Sequence, residues 1–257
     1  GRETALQKLH WRVDGWPELA QGGRAPATTV EAPSGVTLQA PVAEAVRDDF
    51  DTPTLSPHFN SLRVPVDASW LSLTARPGHL RLHGRESLMS TFEQSLVARR
   101  QQHLRCHAQT ALDFAPSNFH QMAGLAAYYG TRNHAYLHVS ADEPSCERVL
   151  RLMVVRDGIA SEPVPPLALP PSGMVHLALT FDVAQMRFAY SFDGAAWQDI
   201  GPTIGTAFLS DEFACQQRNG FFHSFGFTGN FIALACQDLA GTHAHADFDY
   251  FDYAERA

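Results

Sequence analysis

The sequence predicts an all-β chain built as an antiparallel sandwich or jelly roll, on three observations. Short runs with period-two alternation recur along most of its length. Gly and Asp turn signals separate them at regular spacing. Only one stretch, residues 86–102, carries the charges and glutamines of an amphipathic helix, and its place among strands weighs against that reading. The length, 257 residues, suits one large β domain, or one domain plus a remnant of a second.

The first 23 residues do not read as an independent unit. Trp11 and Trp16 flank a Val-Asp-Gly turn signal, which predicts a short hairpin. A lone hairpin is marginal in water, so this piece needs a larger body to pack on. Residues 24–46 are rich in Pro, Ala, Thr and Val. Pro26, Pro33 and Pro41 remove ladder donors and favour extended chain, which predicts a linker. From residue 47 to 257 the texture is that of the sandwich.

Within it, Leu104, Cys106 and Ala108 alternate with His103, Arg105 and His107. Ala135, Leu137 and Val139 alternate with His134, Tyr136 and His138. The runs 148–158 and 186–201 contain Asp-Gly turns, and 229–238 and 243–253 close the chain. In the last run His243, His245, Asp247 and Asp249 share one face, and Ala244, Ala246, Phe248 and Tyr250 take the other, which reads as core.

Composition narrows the partners. Apolar residues make up 45% and charged residues 18%, so a substantial core can form. A net charge of −8 repels phosphate backbones and argues against nucleic acid; neutral sugars are not repelled. No apolar run approaches the ~20 residues that span a bilayer, and no signal peptide is visible. The chain begins at Gly1 inside a motif-like run, and so reads as starting within a longer protein. Cys106, Cys146, Cys215 and Cys236 are widely spaced, with no C-x-x-C pair. Two disulfides fit the count; four buried thiols in a reducing, cytoplasmic compartment fit it more simply.

No self-contained active site emerges. The sequence lacks a G-x-S-x-G elbow, a P-loop, a G-x-G-x-x-G and an H-E-x-x-H. A sandwich glycosidase needs facing carboxylates, about 5–5.5 Å apart if retaining and about 6.5–9.5 Å if inverting. Glu93, Asp142, Glu143, Asp211 and Glu212 are isolated or sit in turn-like segments, as solvated surface carboxylates do. No metal or other cofactor is expected. The alternative is a structural calcium ion at Asp49, Asp247 and Asp249, since calcium takes oxygen ligands. Trp70, Phe119, Tyr128, Tyr129 and Trp197 are candidate sugar-stacking platforms, although sandwich aromatics mostly belong to the core. The run 220–229 holds Phe221, Phe222, Phe225 and Phe227 between glycines. One strand face cannot bury all four, so some are expected to project and touch another surface.

Gly1-Arg2-Glu3-Thr4-Ala5-Leu6-Gln7, with Trp11, Asp14-Gly15-Trp16-Pro17 and Gly22-Gly23, resembles the end of the catalytic domain of β-xylosidases of glycoside hydrolase family 43. Further stretches are similar to that family's C-terminal concanavalin-like sandwich. They are Asp48-Asp49-Phe50, Ala123-Gly124-Leu125 with Tyr128-Tyr129, Tyr190-Ser191-Phe192-Asp193-Gly194 with Trp197, Phe227-Thr228-Gly229, and Ala246 to Phe251. The resemblance covers nearly the whole chain. It implies that residues 1–23 are the terminal piece of a catalytic β-propeller. The propeller would carry two aspartates and a glutamate that hydrolyse xylo-oligosaccharides with inversion. In the family pattern those carboxylates, and the family's metal, lie before position 1. The resemblance carries two substrate-binding positions onto this chain. Arg2, in Gly-Arg-Glu-Thr, matches an arginine that reaches the sugar pocket. Phe227, in Phe-Thr-Gly, matches a sandwich phenylalanine that leans over the pocket mouth.

The resulting expectation is a sandwich that caps and shapes a xylosidase pocket without catalytic residues of its own, partnered by the propeller of the same parent enzyme. A stand-alone, non-catalytic carbohydrate-binding module is the alternative, and a homo-oligomerisation domain is a third.

Overall fold

A computed structural model describes residues 5–37, 47–218, 221–224 and 226–256. They fall into two compact units, divided between positions 44 and 45.

The smaller unit contains the expected hairpin. Leu9–Trp11 (β1) pairs antiparallel with Pro17–Leu19 (β2). Gly15, at φ 83°, supplies the left-handed turn residue, and Arg12 N–H donates to Trp16 O at 2.9 Å. The hairpin is too small to bury its side chains: Trp11 is 75% exposed and Trp16 71%. The segment read as a linker starts in this same unit. The Gln7 side chain accepts from Ala27 N–H at 2.9 Å and donates to Ala27 O at 3.0 Å. That double bond satisfies extended backbone that would otherwise need water.

The larger unit is a two-sheet sandwich in which every paired strand is antiparallel. The first sheet runs, in spatial order, Ile159–Ser161 (β12), Arg148–Arg156 (β11), Asn133–Ala141 (β10), Gln121–Gly130 (β9), Phe231–Asp238 (β19), Ser95–Arg100 (β7) and Phe59–Ser61 (β4). Leu167–Ala168 (β13) adds to β11. The second runs Gln198–Gly205 (β16), Gln185–Ser191 (β15), Val175–Asp182 (β14), Arg105–Asp113 (β8), His245–Glu255 (β20), Leu80–His83 (β6) and Leu71–Ser72 (β5). Arg47–Asp48 (β3) adds to β20. Between the sheets lie Trp70, Leu82, Leu125, Leu137, Phe188 and Phe248, all at or near zero exposure. Two short helical turns, a 3₁₀ turn Thr206–Leu209 and α1 (Asp211–Ala214), lead to a small hairpin of Gln216–Arg218 (β17) and Phe221–Ser224 (β18). Among the described residues no helix is long and apolar enough to cross a membrane. The helix-like stretch resolves as turns followed by β7, which pairs with both β19 and β4.

The first sheet buries both faces. In β9, Leu125, Ala127 and Tyr129 join the main core, while Ala126 and Tyr128 join a second cluster with Leu88, Tyr136 and Ala233. Strands covered on both sides read as near-continuous apolar runs, as Ala123–Tyr129 does. Consequently His134 and His138, on the outer face of β10, are fully buried. At Gly124 a Cβ would lie 2.1 Å from Leu137 O, so no side chain fits between these central strands.

In β20 the expected alternation holds through Phe248. A bulge then intervenes: Phe248 pairs with Leu112, but the next paired residue is Phe251, opposite Thr110. Tyr250 is thereby turned away from the intersheet core. It is buried instead beneath the Arg47 guanidinium, 3.7 Å above its ring. His243, at φ 61°, precedes the strand and does not share its face.

Candidate functional site

Of the two predicted site residues, Arg2 lies outside the described residues. Phe227 is described and is 54% exposed. It stands in the short connection from β18 to β19, beside α1. Phe221 and Phe213 are also exposed here, at 79% and 40%. The expectation that some phenylalanines of this run project outward is met by Phe221 and Phe227. Phe225 and the Phe222 side chain lie outside the described residues.

The loop is held from below. Tyr129, at the end of β9, donates its phenolic hydrogen to Asp211 Oδ1 at 2.5 Å. Burial and the Asp211 carboxylate both push its ionisation well above the usual tyrosine range, so it stays a neutral donor. Gly226 approaches so closely that a Cβ would sit 2.5 Å from Tyr129 Oη and 2.9 Å from Asp211 O. Thr228 Oγ1 donates to Tyr129 O at 3.4 Å. Arg100 donates to Thr228 O and lies 4.4 Å from the centroid of the Phe231 ring. Ser210 caps α1, accepting from Phe213 N–H at 3.3 Å. The Gly-Phe-Thr-Gly pattern marked this loop in the sequence. Tyr129 and Asp211 as its anchors were missed, because they are 82 residues apart and meet only in the fold.

The other candidates take structural places. Trp70 and Tyr128 are buried, and Trp70 donates its indole N–H to Pro65 O at 3.2 Å. They offer no sugar platform. Trp197 is half-buried and Phe119 is 39% exposed. Asp142 is paired with Arg151 at 2.6 Å. Asp193 accepts from Ala196 and Ala195 N–H, both at 2.8 Å, and from Ser191. Those donors hold its carboxyl down to about 2, as befits a turn clasp and not a proton donor.

The carboxylates considered for calcium do not converge. Arg81 grips Asp247 with two bonds of 2.7 Å, and Arg76 bridges Asp247 and Asp113. Asp49 pairs with Arg47, and Asp249 lies 3.8 Å from His79. Among the described residues no group of three or more His, Cys, Asp or Glu side chains is arranged to hold a metal. All four cysteines are free; Cys106 and Cys236 are buried, but Cys215 is half-buried and Cys146 exposed, against the expectation of four buried thiols.

Comparison with known proteins gives this architecture a context. A family profile described as the beta-xylosidase C-terminal concanavalin A-like domain matches residues 47–254. A xylan 1,3-beta-xylosidase of Vibrio sp is 42% identical over 255 residues, 99% of this chain and 45% of its own length. A beta-xylosidase of Bacillus subtilis strain 168 is 40% identical over 260 residues, 100% of this chain and 46% of its own. A solved xylan beta-1,4-xylosidase from Bacillus halodurans C-125 superposes with a TM-score of 0.88 at 41% identity. That match covers 97% of this chain and 46% of the other. The chain thus spans about half the length of the relatives it matches.

Proposed function

Because the chain belongs to the family of beta-xylosidase C-terminal concanavalin A-like domains, we propose that it is the pocket-shaping sandwich of a glycoside hydrolase acting on xylo-oligosaccharides. The catalytic half, a β-propeller in the same parent enzyme, supplies the acid and base. This chain supplies a wall, with Phe227 at the pocket mouth. The observation that carries the reading is the Phe227 loop: an exposed aromatic side chain on a tightly held backbone.

The carboxylates support a non-catalytic role. Asp142 is taken up by an ion pair with Arg151. Asp193 and Asp247 are held below the usual carboxylate range by the turn amides and by Arg81 and Arg76, which makes them poor proton donors near neutral pH. The relatives named above differ in the linkage that their names give, 1,3 against 1,4. The proposal is therefore confined to pocket length and shape and makes no claim on linkage.

The test is an assay of this chain alone on p-nitrophenyl-β-xyloside, with calorimetry on xylotriose. The expected results are no turnover above buffer and no measurable heat of binding. Robust turnover would overturn the non-catalytic reading. Saturable xylotriose binding lost on Phe119→Ala or Trp197→Ala would favour a stand-alone sugar-binding module instead.

A further inference from the structure

We propose that Tyr129 is the positioning residue that fixes Phe227 in one place, and thereby sets how long a sugar chain the pocket accepts. The positioning stands on geometry alone; its effect on substrate length rests on the function proposed above.

Tyr129 touches the loop on both sides of Phe227. On one side its phenolic oxygen fills the space a Gly226 side chain would need, with Ala214 Cβ closing the same space at 3.0 Å. On the other its carbonyl accepts from the Thr228 hydroxyl. The hydroxyl of Tyr129 is itself tied to Asp211, so the ring cannot swing away without breaking a charge-assisted bond. Arg100 holds Thr228 O from the neighbouring strand β7. Phe227 is thus flanked by two residues whose positions are dictated by β7, β9 and α1, while its own ring is more than half exposed.

Glycines at 226 and 229 would otherwise give this connection wide conformational freedom. Suppressing it suits a fixed wall rather than a swinging lid. The distinction matters chemically. An apolar wall discriminates substrates by only about 10–200-fold, and a displacement of about 1 Å is enough to lose much of that. Fixing the ring preserves the discrimination. Gly226 follows from the same logic, since any side chain there pushes Tyr129 off its acceptor.

The experiment is amide hydrogen exchange on this chain, paired with kinetics in the parent enzyme. Tyr129→Phe keeps the ring and removes the hydroxyl. Exchange at Phe227 and Thr228 should accelerate about tenfold, with β9 and β19 unchanged. Asp211→Ala, at the first residue of α1, should reproduce the effect. Asp211→Asn, which keeps an acceptor oxygen, should not. In the parent enzyme Tyr129→Phe should raise kcat/KM for xylotetraose relative to xylobiose, mainly through KM, in the same direction as Phe227→Ala. Unchanged exchange in both Tyr129→Phe and Asp211→Ala overturns the positioning role. Faster exchange with the length ratio shifted by Phe227→Ala but not by Tyr129→Phe overturns the coupling to specificity. A ratio unmoved by Phe227→Ala overturns the proposed function itself, and the exchange result still decides the geometry.

Discussion

At the residue scale, the outer face of the first sheet has a chemical consequence. His134 and His138 each donate from Nδ1 to a backbone carbonyl, Gly130 O at 3.0 Å and Tyr136 O at 3.1 Å. Their Nε2 atoms are buried with no hydrogen-bond partner among the described residues. Protonation would bury an unpaired N–H and a charge, and burial pushes both rings down to about 4 from an ordinary 6.5. Between those values the unfolded chain binds more protons than the folded one, so stability falls as pH drops from 6.5 towards 4. Each ring contributes roughly 3 kcal/mol to that loss by linkage arithmetic. Urea midpoints for the native chain should therefore fall across this window, and His138→Gln should flatten the fall. The carboxylates act lower: Asp193, held at about 2, keeps its contribution above the usual carboxylate range and loses it only as pH falls towards 2. The histidines were legible in the sequence as one side of an alternation. Their burial was not, because period two identifies a face but not what covers it.

At the scale of the element, the turns were the most legible feature. Asp193-Gly194 does what its residue types suggest: Gly194 takes φ 71° and Asp193 clasps the following amides. The turn into β20 uses a less visible device. Asp238 accepts from Ala244, Thr242 and Ala240 N–H at 3.0, 2.8 and 3.0 Å, a clasp reaching six residues ahead. Burial pushes its carboxyl up, but these donors outweigh burial and hold it below the usual range. Asp238→Ala strips three partly buried amides of their acceptor. It should cost about 3 kcal/mol in denaturant unfolding, more than Asp238→Asn. Gly124→Ala should cost about 3 kcal/mol as well, since a methyl group would meet backbone of β10 rather than a flexible side chain. The β20 bulge could not be foreseen. Alternation in His245–Phe248 continues smoothly through Tyr250 on paper, and only pairing with β8 reveals two residues without partners. The tempting helix over 86–102 failed for a related reason: Glu86 at its start accepts from Glu93 N–H at 3.0 Å in a turn, and Ser95–Arg100 at its centre pairs as β7.

At the scale of the molecule, the sandwich and its family were both readable, the first from alternation and turns, the second from short runs of particular residues. The smaller unit, taken by itself, is too small to bury its apolar side chains. Leu9, Trp11 and Trp16 are all more than half exposed. Of the four tryptophans, Trp11 and Trp16 belong to this unit and stand exposed on it, while in the sandwich Trp70 is fully buried and Trp197 half so. Acrylamide should quench the isolated chain strongly through Trp11 and Trp16. In the parent enzyme the same two should be protected, since the proposed catalytic half would bury the hairpin. Equal quenching in both would contradict that packing.

The central claim is that this sandwich shapes a catalytic pocket it does not itself contain, and chain-length selectivity tests it most directly. The measurement is the ratio of kcat/KM for xylotetraose to that for xylobiose in the parent enzyme, with and without Phe227→Ala. Removing a fixed aromatic wall should raise the ratio by about 10-fold or more, while turnover of xylobiose persists. A ratio that stays at the native value would contradict the account, because the exposed aromatic of the held loop would then have no contact with the chemistry.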